Sequence, residues 1–243
     1  MKAEYIDHMG DDLRVVNAAR VSFNKESKWD TLCPCGATEP CYSIYCRMDD
    51  VLSTKDRKLI NYLADHDHWT PFAHCSVTLR ETIPIFIARQ RFKHTVGFVY
   101  NEVSRRYVDD EPEFYEPKVW RKRAENVKQG SSNESVDLSS VIVDYEHGWY
   151  KDLYDLYECV KSDQVELYNQ MLKAGIAPEQ ARMVLPQSMY TSYYVTGSLV
   201  AWARMYQQRT KDNAQKEWNE LTPQIDEIIR PLFPHAWSAL VDS

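Results

Sequence analysis

The sequence lacks any long apolar run. Stretches such as 83–88 fall far short of the ~20 residues that a membrane-crossing helix needs, and the first residues contain no apolar signal core. Both absences point to a soluble, cytoplasmic protein with no membrane partner. Positive charge is also scarce: 29 Lys and Arg stand against 36 Asp and Glu, a net charge of -7. Most of the surface would repel a polyanion, so no nucleic-acid partner is expected, whereas a small anion needs only a local cluster of cations. There is no internal repeat and no low-complexity tract. Of the 6 cysteines, Cys33, Cys35, Cys41 and Cys46 crowd together without the usual Cys-x2-Cys arms of a zinc site. Four nearby thiolates can still surround zinc. The alternative is an irregular insertion carrying reduced thiols, which Pro34, Gly36 and Pro40 favour, and no metal is assigned.

With 44% hydrophobic residues in 243, the chain can bury a substantial core, and one domain is the simpler reading. Apolar spacing predicts an early helix within 11–23, a helix over 54–66 capped by Ser53 or Thr54, and a half-buried strand at 75–80. Pro84 suits the first turn of a helix running to His94, on which Gln90 and His94, four apart, share a face. The polar 119–140 stretch reads as a mobile surface segment. A long helical pattern over 141–174 carries Trp149, Leu153, Leu156, Val160, Leu167 and Met171 as its core stripe, with a break near Ser162 or Asp163 and a stop at Gly175. Pro178 opens a short helix, 189–195 is rich in strand formers, Ser198 caps a helix carrying Trp202 and Arg209, and a final helix covers about 214–229.

The chemistry concentrates between Arg89 and Tyr107. Arg89, Arg91, Lys93, Arg105 and Arg106 face one acid, Glu102, among the polar Gln90, His94, Asn101 and Ser104. Such a set can hold a phosphate through forked guanidinium bonds while hydrogen-bonding a planar ring. A solvated basic helix face or a set of surface ion pairs has the same composition.

The segment 89–107 resembles the signature of the flavin-dependent thymidylate synthases. The family pattern is Arg-His-Arg, a spacer, then Asn-Glu-x-Ser-x-Arg-Tyr; Asn101, Glu102, Ser104, Arg106 and Tyr107 keep its second half. The first half reads Lys93, His94, Thr95, and the spacer is one residue longer. Further matches follow in order: 17–23, the turn 68–74 with Ala73 in place of a glutamate, 181–186, Tyr190-Thr191, and Arg209 with Ala214, Gln215 and Glu217.

The resemblance implies an α+β fold: a single domain, 1–243, with a central mostly antiparallel sheet flanked by helices, a Cys-rich insertion at about 24–53 and a polar loop at about 119–140. It implies a homotetramer with active sites shared between subunits. It implies reductive methylation of dUMP to dTMP, with 5,10-methylenetetrahydrofolate as carbon donor and FAD, reduced by NADPH, as hydride carrier. For dUMP it points to Gln90, Arg91, Phe92, Lys93, Glu102, Val103, Ser104, Arg105, Arg106, Arg182 and Arg209. For FAD it points to Ser22, Thr70, Lys93, His94, Thr95, Glu102, Ser198 and Arg204. Arg209 is the catalytic residue, a fixed cation favouring the ionised uracil; the alternative for it is a helix-end pair with Glu217. Ser104 is expected to bind substrate and not to attack it, since no positioned base is evident beside it. Competing readings are a flavin enzyme making a hydroxymethylated pyrimidine and a binding protein that has lost activity.

Overall fold

The structure is a computed structural model and describes residues 1–32, 49–107, 111–125, 130–143 and 150–242. Its centre is a four-stranded antiparallel sheet in the order β1 (Lys2–Met9), β4 (Ser76–Pro84), β8 (Tyr190–Ser198), β5 (Phe98–Glu102). Alternation decides which face is covered: Val77, Leu79, Glu81 and Ile83 of β4 are buried, with Tyr193 and Val195 beside them on β8. The opposite face is polar, where Thr78 bonds Thr196 at 2.9 Å and Arg80 donates to Ser192 at 3.0 Å.

Helices cover the apolar face. α1 (Asp12–Arg20) supplies Val15 and Val16, and α2 (Thr54–Asp65) supplies Ile60 and Leu63. The inner helix α6 (Leu199–Arg209) supplies Leu199, Trp202 and Met205, and Trp202 Nε1 donates to the carbonyl of Val77 on the sheet at 3.1 Å. α7 (Thr222–Ile229) and α8 (Pro234–Val241) close the core with Ile225, Ile229 and Trp237. The α+β architecture with a central antiparallel sheet flanked by helices is the expected one. Ser53 caps α2 and Ser198 caps α6 through their side chains, as expected.

Several boundaries differ from expectation. Pro84 ends β4 and caps α3 (Ile85–Arg91), so the helix stops at Arg91 and 92–97 forms turns. The expected last helix splits into a 3-10 turn, Lys216–Glu220, and α7, because Pro223 has no N–H to continue a ladder. The long helix α4 (Leu153–Lys173) starts at the Asp152 cap and runs unbroken through Ser162 and Asp163. Its expected core stripe is not a core: Val160 is 44% and Leu167 49% exposed, and Tyr168 is its buried residue. Leu153, Leu156 and Met171 of the stripe are half-buried, and the turns Leu138–Ser140 and Arg182–Val184 pack along the helix.

The polar 119–140 stretch is not an irregular loop. It holds an antiparallel hairpin of β6 (Trp120–Arg123) and β7 (Ser131–Val136). In the cysteine-bearing region, β2 (Asp30–Leu32) pairs with β3 (Asp49–Val51). The four cysteines considered as zinc ligands lie outside the described residues, as does Trp149. Among the described residues no cluster of His, Cys, Asp and Glu could hold a metal, and no helix is long and apolar enough to cross a membrane.

Candidate active site

The last turn of α3 and the last turn of α6 meet. Arg209 donates from Nε to His94 Nε2 at 2.9 Å, from Nη1 to Gln90 Oε1 at 3.2 Å and from Nη2 to the Gln90 carbonyl at 3.1 Å. Its guanidinium lies 4.9 Å from the ring centroid of Trp218, whose Nε1 donates to Gln90 Oε1 at 3.1 Å. Gln90 also bonds Gln215. Gln90 and His94 do not share a helix face as expected, because α3 ends at Arg91; both bond to Arg209 instead. A guanidinium only donates, so His94 Nε2 accepts and the ring is neutral with its proton on Nδ1. Burial first, then the charges of Arg209 and Arg91, push the His94 imidazolium down to about 4. Arg209 itself is held below the usual guanidinium range by burial and Arg91.

A cavity of about 660 Å³ opens on this cluster. Gln90, Arg209 and Gln215 form one wall, Lys211 stands at the end of α6, and the β6–β7 hairpin contributes Arg121, Gly130 and Ser131. Arg121 is fixed by a 2.6 Å bond to Glu217 and a 2.7 Å bond to Ser131 Oγ. Glu217 therefore pairs with Arg121, which removes the alternative of a helix-end pair with Arg209. Three cations border one cavity in a chain of net charge -7, and one of them, Arg121, is paired with Glu217. Arg121, Ser131 and Lys211 lie outside every motif in the sequence. Gly130, just before β7, takes φ +97, a conformation that favours glycine.

Other expected residues fall elsewhere. Arg91 has no exposed surface, and its donors go to Glu81 and Tyr100, so it faces the core and not the cavity. Phe92 packs edge-on against Tyr100 and Tyr193, while Lys93 and Thr95 are exposed. Glu102 closes β5 and accepts from Thr191 Oγ1 at 2.6 Å. Beyond it Val103 is exposed, Ser104 Oγ accepts from Arg106 Nε at 3.0 Å, and Arg106 stacks on Tyr107. Arg105 is half-buried in the same loop. Arg182, in the turn after α5 (Pro178–Ala181), is exposed and donates to the Glu179 carbonyl at 3.3 Å. The residues 102–106 and Arg182 are thus outside the wall that Gln90 and Arg209 build.

For the flavin-directed set, Ser22 and Thr70 are exposed beside exposed Val21, Phe23 and Trp69, and Arg204 lies 5.5 Å from the Trp69 ring centroid. Ser198 sits against Gly97, whose φ is +78 and where a Cβ would stand 2.9 Å from the Ala201 Cβ. Only glycine fits that approach.

A family model described as thymidylate synthase complementing protein matches residues 4–235. A protein named flavin-dependent thymidylate synthase from Thermosipho africanus is 34% identical over 236 residues, covering 97% of this chain and 89% of its own. One of the same name from Thermus thermophilus is 32% identical, covering 96% and 73%. The chain belongs to the flavin-dependent thymidylate synthase family. Among solved structures, a UMP/dUMP methylase, PolB from Streptomyces cacaoi, bound with 5-Br UMP, superposes with a TM-score of 0.73 at 25% identity, covering 100% of this chain and 96% of that one. As a member of the family the protein is an enzyme; Arg209 and Gln90 line the cavity, and His94 bonds to Arg209.

Proposed function

We propose that this flavin-dependent thymidylate synthase methylates dUMP to dTMP, taking the carbon from 5,10-methylenetetrahydrofolate and the reducing equivalents from NADPH through FAD. The observation that carries the reading is the convergence of Arg209, itself bonded to His94, and Gln90 on a cavity also edged by Arg121 and Lys211. A phosphate offers more acceptors than one guanidinium can serve, so several cations around one cavity fit a nucleotide monophosphate. Arg209, held in place by three bonds and an indole face, is a preorganised cation; beside a uracil it would favour the ring's anionic form and make C5 more nucleophilic. Gln90 supplies an amide for orienting the base.

Bound FAD would supply hydride at carbon, which no side chain provides. Ser22, Thr70, Lys93, His94, Thr95, Glu102, Ser198 and Arg204 are its candidate contacts. The donor set suits that group, because hydrogen-bonding side chains alternate with the exposed apolar Val21, Phe23, Trp69 and Val96. Glu102, Ser104, Arg105, Arg106 and Arg182 are candidate dUMP contacts that reach the site from another copy in a homotetramer. The exposed Val160 and Leu167 of α4 and the exposed Val99 and Val103 of the sheet edge support assembly.

Release of tritium from C5-labelled dUMP, dependent on both NADPH and methylenetetrahydrofolate, tests the reaction; no release with both present would refute it. The likeness to a UMP/dUMP methylase makes UMP the competing substrate, and the same assay with labelled UMP separates the two.

A further inference from the structure

Every inward position of β4 from Val77 to Ile83 is apolar except Glu81. That carboxylate meets Arg91, the residue after Gln90, and both side chains are fully buried. Arg91 donates from Nε to the two carboxylate oxygens at 3.2 and 3.0 Å and from Nη2 at 3.2 Å, while Tyr193 Oη donates to the same carboxylate. Three aromatic rings, Phe98, Tyr100 and Trp202, enclose the guanidinium with centroids at 4.4, 5.2 and 4.9 Å. Its remaining nitrogen, Nη1, donates to Tyr100 Oη at 2.6 Å.

That contact gives the phenol a direction. Having accepted from Arg91, Tyr100 has one proton to give, and the nearest acceptor is the carbonyl of His94 at 2.6 Å, with the carbonyl of Arg91 farther at 3.2 Å. The His94 N–H donates to the Arg91 carbonyl at 3.1 Å. Residues 92–97 lie beyond the helix ladder, so these two bonds pin the His94 backbone, and its ring then meets Arg209. We propose that Tyr100, anchored by the buried Glu81–Arg91 pair, is a positioning residue that sets the His94 ring against Arg209. The proposal rests on reading Gln90 and Arg209 as the dUMP side of the active site and His94 as the flavin contact bonded to it.

Two charged groups face His94: Arg209 from α6 and Arg91 from α3, the latter already balanced by Glu81 of β4; the phenol of Tyr100 comes from β5. Tyr100→Phe keeps the ring and both arginines but removes the hydroxyl. The His94 carbonyl is released, the turn relaxes, and the imidazole leaves Arg209 for water.

The test is a pH titration of selectively 15N-histidine-labelled full-length protein, with the His94 resonance identified by its loss in His94→Gln. In the parent the midpoint is expected near about 4. In Tyr100→Phe it is expected to rise toward the ordinary 6.5, while turnover falls on the order of tenfold. A midpoint that stays where the parent has it overturns the proposal whatever happens to the melting temperature, since a merely structural hydroxyl would alter Tm alone. If Tyr100→Phe does not fold, Arg91→Lys keeps the charge beside Glu81 but cannot also reach the phenol, and the same rise is expected. A parent without thymidylate synthase activity would count against the proposed function, while the shift of the His94 midpoint would still decide whether Tyr100 positions the ring.

Discussion

The two halves of the motif between Arg89 and Tyr107 have opposite physical settings. The first half, Gln90 to His94, is locked: Gln90 and His94 are tied to Arg209, Gln90 to Trp218, and Arg91 is sealed in the core against Glu81. The second half, Glu102 to Tyr107, is turned outward on a sheet edge where Val99 is 67% exposed and Arg106 bonds to its own loop. A preorganised wall stabilises developing charge because its dipoles need no rearrangement. An exposed set of arginines gains that property only when something covers it. The contrast teaches that the motif joins a buried, fully bonded half to an exposed half whose Arg106 bonds within its own loop.

Breaking the locked half at its root should cost most. Arg91→Ala leaves the Glu81 carboxylate buried without its cation, and urea unfolding should show a loss of about 3–5 kcal/mol. A loss within the range of ordinary surface substitutions would mean that Arg91 is not the anchor. Next comes Arg209→Ala, which removes a cavity cation and its contact with the Trp218 ring. It should fold and take up FAD, read from flavin absorbance, while the turnover number falls roughly 10²–10³-fold. Near-normal turnover would remove Arg209 from the chemistry. On the exposed half, Arg106→Ala should leave Tm unchanged and raise the KM for dUMP on the order of tenfold, as loss of a charge-assisted bond to the substrate does.

A further effect is on pH dependence. The unfolded chain protonates His94 near 6.5, but the folded chain does so only near about 4. The folded value is depressed, so its contribution to stability is complete above 6.5 and is lost as pH falls through that window toward about 4. His94→Gln should flatten the Tm-versus-pH curve there; an unchanged slope would mean that His94 titrates normally.

Legibility in the sequence follows the range of the interaction. Ser53 and Ser198 cap helices that begin at the next residue, and Val77 and Leu79 alternate within one strand, so α2, α6 and β4 can be read locally. By contrast α8 escapes a local reading because its cap is Asp12, whose carboxylate accepts from the N–H groups of His235 and Ala236 at 2.8 and 2.9 Å from the far end of the chain. β1 escapes it because its charged, mostly exposed residues suit a sheet edge and carry no apolar alternation. Arg91 reads with its motif neighbours as a ligand contact; its true partner, Glu81, lies ten positions earlier on another element. Arg121 sits in a stretch too polar to signal a cavity wall, and only its bond to Glu217 places it there. The α4 stripe looks like core because apolar periodicity marks one face of a helix without saying how deeply that face is buried.

Mixing the two half-site variants asks directly whether one wall comes from each of two copies. Purified Arg209→Ala and Arg106→Ala proteins, each weak in tritium release from C5-labelled dUMP, are mixed, exchanged under mild denaturant and returned to assay. If the walls belong to different subunits, some sites in the mixed oligomers carry both native arginines and activity rises well above the sum of the two parents. Activity that never exceeds that sum, with exchange of subunits verified by mass, would contradict the account.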